Sequence, residues 1–172
     1  YKLAELLEIP IATTVSGQGA VAEHAPLALG VVGSNGGVLS TRQIVDESDV
    51  ILFIGCRAGS VTTERWRSPK PSVKIIHIDS DPDVIGANYK TEVGIVSDAK
   101  LALAELSKSL EGAENRNNGL VRAASAWEAK KKDFTALATS SDTPIKPEAV
   151  IASLMNALSK DAVICADPGT PC

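Results

Sequence analysis

The sequence predicts an α/β fold built on a doubly wound, mainly parallel sheet flanked by helices, and three observations carry that prediction. The first is the run Val50, Ile51, Leu52, Phe53, Ile54, bounded by Asp49 and Gly55. It is too short for a helix and continuously apolar, as a parallel strand covered on both faces must be. The second is a like run at residues 73–78, leading into Asp79, Ser80, Asp81 and Pro82. The third is the order of patterns along the chain, in which strand-like and helix-like segments alternate.

The elements follow in order. Residues 3–7 carry apolar side chains at helical spacing and lead to a strand-like run at residues 9–14. Gly17 and Gly19 punctuate a loop, and the segment Leu29, Gly30, Gly33, Gly36, Gly37 leads to a helix predicted at about residues 40–47. After the strand ending at Ile54, residues 62–67 make a short helix or turn stopped by Pro69 and Pro71. The strand at 73–78 runs into Asp81-Pro82, which reads as an N-cap with proline at the first helical position. A short strand near 94–96 precedes Asp98, the cap of a helix whose Ala99, Leu103, Leu106 and Leu110 share a face.

Residues 111–119 are polar and glycine-containing, marking an exposed connection. Beyond it, residues 121–138 are helix-prone, Pro147 opens a helix with Val150, Ile151, Leu154, Met155 and Leu158 on one face, and residues 162–166 read as a strand. The expected organisation is a nucleotide-binding-like domain over 1–112, a linker with a helix over 113–144, and the first helix and strand of another α/β domain over 145–172.

Composition narrows the function classes. Of 172 residues 44% are apolar but only 3% aromatic, so the core must be assembled from Ala, Val, Leu and Ile. With 17 basic and 21 acidic side chains and no basic cluster, the chain lacks the electrostatic footprint of a nucleic-acid binder. No apolar run reaches the roughly 18 to 20 residues of a membrane span. Three cysteines without metal-ligand spacing argue for reduced thiols and a cytoplasmic setting.

The chemistry-bearing residues gather at predicted strand ends, where ligands of such sheets bind. Gly55 and Gly59 allow backbone N–H groups to approach a phosphate, Arg57 can make a bidentate phosphate contact, and Asp79 can accept from a ribose hydroxyl. Cys56 beside Arg57 has no paired histidine, so an inert thiol is expected. His77 belongs in or beside the core, His24 in a loop, and Trp66 in ordinary packing.

Four phrases in fixed order carry a family resemblance: Ile9-Pro-Ile-Ala-Thr-Thr with Gly17 and Gly19; Leu29-Gly30 with Gly33 and Gly36; Ile54-Gly55-Cys56-Arg57; and Ile75-Ile-His77-Ile-Asp79-Ser-Asp81-Pro82 with Ile85-Gly86. The chain resembles the Rossmann-like central domain of thiamine diphosphate-dependent enzymes of the acetohydroxyacid synthase, pyruvate oxidase and decarboxylase family. Residues 145–169 are similar to the opening of that family's diphosphate-binding domain.

The resemblance implies a fragment of a larger decarboxylase or carboligase that uses thiamine diphosphate and Mg²⁺. Its partners would be the remaining domains, in a homodimer or homotetramer. The fragment itself would be inactive, because neither the activating carboxylate nor the metal-anchored diphosphate segment is present. Residues matching Gly30, Gly33, Gly55, Arg57, Asp79 and Asp98 lie along FAD in the flavin branch, and Asp167, Gly169 and Thr170 match a loop near thiamine diphosphate. Where that branch shows Asp-Asp-Arg, this chain has Gly59-Ser60-Val61, which leaves ADP as an alternative to FAD. The family's central domain begins with a strand before the helix at Leu3, and its absence would leave a gap for residues 162–166 or a partner chain to fill.

Two alternatives stand beside this reading: a Rossmann-type flavin or nicotinamide oxidoreductase, and a non-binding structural or oligomerisation module. Against the site reading, the glycines would serve only tight turns, Asp79, Asp81 and Asp98 would only cap helices, and Arg57 would pair with a nearby acid.

Overall fold

The computed structural model describes residues 1–113 and 117–165, which form two compact units, Tyr1–Ala126 and Trp127–Cys172. The first unit contains α1 (Lys2–Leu7), β1 (Ile11–Thr13), β2 (Ala28–Val31), α2 (Leu39–Asp46), β3 (Val50–Ile54), β4 (Lys74–Asp79), β5 (Val93–Val96) and α3 (Ala99–Ser109). It also holds the first turns of α4 (Gly119–Ala138). Every strand pairing is parallel, so the α/β class expected from the continuous apolar runs is the one observed. The strands fall into two sheets, β1-β2 and β3-β4-β5.

Short local devices place these elements. α1 stops at Glu8, whose left-handed backbone (φ 49°) lets the Ile9 N–H return to the Ala4 carbonyl at 3.0 Å before Pro10. The start of α4 docks on this helix end: Asn117 Nδ2 donates to the Leu7 carbonyl at 2.9 Å and the Gly119 N–H to the Glu8 carbonyl at 3.1 Å. A methyl on Gly119 would overlap that carbonyl.

β2 carries a bulge. Ile11 faces Ala28 but Ala12 already faces Gly30, so Leu29 is the extra residue, and Gly30 takes φ 82°. The Leu29 carbonyl, turned out of the ladder, accepts from Thr41 Oγ1 at 3.1 Å, which ties α2 to the strand through a hydroxyl that is almost fully buried.

The core is aliphatic, as the composition required. Leu27, Ile75 and Ile78 are its largest fully buried apolar side chains, with Leu29, Ala123 and Ala126 forming a cluster against which Ala12 and Ile44 pack. Burying each large aliphatic side chain is worth about 1.5–3 kcal/mol, so the few aromatics are not needed inside. His77 is buried on β4, edge-on to Phe53 with ring centroids 5.7 Å apart, and its Nε2 has no hydrogen-bond partner. His24 lies exposed in a turn.

Between β3 and β4 the chain makes a turn with three successive left-handed residues, Glu64, Arg65 and Trp66 (φ 49°, 61°, 61°). Each such non-glycine residue costs on the order of 1 kcal/mol. Contacts around the turn offset this: Thr63 Oγ1 donates to the Gly59 carbonyl and accepts from the Trp66 N–H, while Arg42 pairs with Glu64 at 3.0 Å and Ser68 Oγ donates to Asp46 at 2.6 Å. This geometry corrects the expectation for Trp66. The left-handed turn leaves it 57% exposed rather than packed.

Two other expectations are corrected. Asp81-Pro82 opens a turn and not a helix: Asp81 Oδ1 accepts from the Asp83 N–H at 2.9 Å, and Gly86 (φ 76°) ends the segment before a full helix could close. The strand expected at 162–166 is absent over residues 162–165, with Val163 89% exposed, and Ala166 lies outside the described residues. An apolar pattern without a neighbouring ladder has no hydrogen-bond partners to make it a strand.

The second unit comprises the rest of α4 and α5 (Pro147–Ala157). Pro147 stands at the first helical turn as its fixed φ favours, and Lys146 pairs with Asp142 at 3.5 Å. The apolar face of α5 is exposed at Val150, Ile151, Leu154, Met155 and Leu158. Among the described residues no helix is long and apolar enough to cross a membrane.

Candidate functional site

The parallel pairing sends β3, β4 and β5 to one common edge, and there the chain places most of the residues picked out by their chemistry. Gly55 takes φ 56° immediately after β3, and its N–H donates to the Ile78 carbonyl at 2.9 Å. Nothing lies within 4 Å of the position a Cβ would occupy at Gly55 or Gly59, so the space over this loop is open to a ligand. Arg57, between them, is exposed, and among the described residues no carboxylate lies within ion-pair distance of its guanidinium.

Asp79 ends β4, and its backbone carbonyl accepts from the Ser97 N–H at 3.0 Å, which sets the ends of β4 and β5 side by side. One carboxylate oxygen, Oδ1, accepts from the Asp81 N–H at 3.0 Å. Asp98 follows β5 and caps α3, its Oδ1 accepting from the Leu101 N–H at 3.1 Å. Both aspartates thus have the structural work expected of caps, yet each uses a single oxygen in the bond named and keeps the other for a further donor.

Gly33 reaches the same neighbourhood from β2. It has φ 101°, and a Cβ there would come to 2.8 Å from Thr62 Cα, so glycine is required for the β2 loop to run against the loop after β3. The Ser34 N–H donates to the Val61 carbonyl at 2.8 Å and closes that contact. Gly30 is different. It is buried within β2 at the bulge, next to the strand's last residue, Val31. Asp167, Gly169 and Thr170 lie outside the described residues.

Cys56 is a free, partly buried thiol. Burial pushes its pKa up, the Ala58 N–H donated to Sγ at 3.4 Å opposes this, and the negative charge of Asp79 adds to the rise. Among the described residues no cluster of His, Cys, Asp and Glu could hold a metal ion.

Asn88 belongs to the site although its sequence context hides it. Its Nδ2 donates to the Arg57 carbonyl at 2.8 Å, pinning the β3 loop to the turn after β4. Gly86-Ala-Asn88 reads in sequence as an ordinary polar turn, and a partner 31 residues away leaves no local signal.

The chain is similar to known proteins. A family model described as "Thiamine pyrophosphate enzyme, central domain" matches residues 1–106. The chain belongs to that family. It is 38% identical over 98% of its length to a probable acetolactate synthase large subunit of Methanococcus aeolicus, and likewise 38% identical over 98% to that of Methanocaldococcus jannaschii. A putative thiamine pyrophosphate-containing protein of Bacillus subtilis is 31% identical over 98% of the chain. The chain spans only 30%, 29% and 28% of these three proteins, respectively.

Proposed function

We propose that this central domain serves an acetolactate synthase-like enzyme in the cytoplasm, and that its strand-end loops hold the diphosphate of an adenine nucleotide, FAD or ADP. In the whole enzyme, thiamine diphosphate with Mg²⁺ supplies the decarboxylation and carboligation chemistry on residues outside this segment. The intact protein is a homodimer or homotetramer joined with its remaining domains.

The observation that carries the nucleotide reading is the Arg57 guanidinium, unpaired with any acid among the described residues, in a loop whose glycines leave open space. An exposed cation without an acid partner, beside accessible backbone N–H groups, is the donor set a diphosphate needs. Gly55 and Gly59 let the phosphates approach, Asp79 offers its second carboxylate oxygen to the ribose, and Gly33 and Asp98 shape the flanking loops. The engaged Oδ1 atoms of Asp79 and Asp98 favour the rival reading of a purely structural spacer.

Equilibrium titration of the chain with FAD, and separately with ADP, distinguishes the readings. Stoichiometric FAD binding that Arg57→Ala weakens at least tenfold supports a flavin domain, and binding of ADP alone supports a nucleotide-regulated one. Binding of neither to the folded chain leaves the structural spacer.

A further inference from the structure

The sequence holds two Asn-Gly pairs, Asn35-Gly36 and Asn118-Gly119, and the fold treats them oppositely. An asparagine before glycine is the dipeptide whose following backbone nitrogen most readily reaches the side-chain amide carbon, because glycine has no Cβ to crowd the ring that forms and its backbone turns freely. Asn35-Gly36 lies in the exposed turn after β2, with Gly36 at φ 84°. Among the described residues neither of the two makes a hydrogen bond, which leaves the Gly36 nitrogen and the Asn35 amide free to meet. Asn118-Gly119 stands at the start of α4. There the Gly119 N–H is donated to the Glu8 carbonyl at 3.1 Å, the Asn118 carbonyl accepts from the Arg122 N–H at 2.9 Å, and Gly119 is buried against Glu8. A nitrogen engaged in this way attacks only after the start of α4 has opened.

We propose that Asn35 is a site of spontaneous deamidation, from which the docking of α4 on the end of α1 shields Asn118. The Gly36 nitrogen gives its proton to a solvent base and attacks Cγ of Asn35. The N–Cγ bond forms, the Cγ–Nδ2 bond breaks, and Nδ2 leaves as ammonia with a proton taken from water. Water then opens the cyclic imide at one carbonyl or the other, giving aspartate or isoaspartate. Residues 25–41 carry no charged side chain, so the product is the first charge in that stretch. An aspartate carboxyl, with an ordinary pKa of about 3.9, is ionised at neutral pH. The charge arises beside Ser34, whose N–H and Oγ both donate to the Val61 carbonyl, at 2.8 and 3.3 Å, in the loop that also carries Arg57. Isoaspartate in addition lengthens the backbone by one carbon next to that contact. Ageing thus divides the protein into a neutral and an acidic form at its strand-end loops. The conversion is independent of whether a nucleotide binds.

The test is peptide mapping by mass spectrometry of the full chain, held at about pH 8 and 37 °C in ¹⁸O-labelled water, with circular dichroism to confirm that it stays folded. Trypsin releases residues 3–42, in which Asn35 is the only asparagine, and residues 117–122, whose fragmentation separates Asn118 from Asn117. Amide should turn to acid with uptake of label at Asn35, as aspartate and isoaspartate together, at least about tenfold faster than at Asn118, since opening of α4 must precede attack there. In denaturing guanidinium chloride the two rates should converge, because the unfolded pairs share the same chemistry. Equal rates in the folded chain overturn the proposal, as does faster conversion at Asn118. An Asn35 that stays intact in the folded chain while converting in the unfolded one overturns it too. A difference that persists undiminished in guanidinium chloride shows that the fold does not protect Asn118 and overturns the shielding.

Discussion

Asn88 Nδ2 donates to the backbone carbonyl of Arg57 at 2.8 Å, so the segment after β4 determines where the loop after β3 carries its cation. The Arg57 side chain then owes its position to a residue that makes no claim on its charge. Asn88→Ala removes a bond worth about 1 kcal/mol. Under the nucleotide reading, affinity should fall about fivefold, less than for Arg57→Ala. Titration of the two variants should give that order, and an unchanged affinity in Asn88→Ala would show that the loop holds itself.

Gly33 sits at φ 101° against Thr62, where any side chain must both strain the backbone and displace the opposing loop. Gly33→Ala should destabilise the chain by about 2 kcal/mol or more, read as a lower urea midpoint. Gly59→Ala meets open space without a left-handed φ and should change stability by less than about 0.5 kcal/mol.

His77 is buried with an unpartnered Nε2, a polar atom that folding removes from water without replacement. His77→Leu should raise stability by about 1 kcal/mol, since an orphaned buried polar group costs roughly 1–3 kcal/mol. A loss of more than 1 kcal/mol on denaturant unfolding would reveal a partner for that nitrogen.

Burial holds the Cys56 thiol protonated, and its folded pKa lies above the ordinary value of 9.0. Folding thus favours the proton-bound form. The resulting stability is fully present below pH 9 and declines as pH rises from that value through the folded pKa. Alkylation by iodoacetamide at pH 8 should be markedly slower at Cys56 than at exposed Cys165. Peptide mapping of the modified chain measures both rates, and equal rates would contradict the protonated thiol.

Much of the fold was legible because its signals are local. Continuous apolar runs marked β3 and β4, and Asp98 announced the start of α3 through a cap that its carboxylate makes at 3.1 Å. The same reading failed at Asp81-Pro82, where an equally good capping pair opens only a turn that Gly86 ends, and at residues 162–165, where apolar pattern met no ladder. For the site, residue types and strand-end positions pointed to Gly55, Arg57 and Asp79. Gly30, expected in the site, also lies at the bulge that sets Ala12 opposite it, a register that no local pattern shows.

The sequence by itself determined that this protein is a parallel α/β domain with an aliphatic core and the ordered phrases of a thiamine pyrophosphate enzyme central domain, because periodicity, caps and turn residues act over a few positions. Tertiary structure decided that Arg57 stands without an acid partner among the described residues, that Asn88 fixes its loop, and that Gly33 is demanded by Thr62. Each of these depends on which distant segments meet, and chain segments far apart in sequence become neighbours only when the sheet has formed.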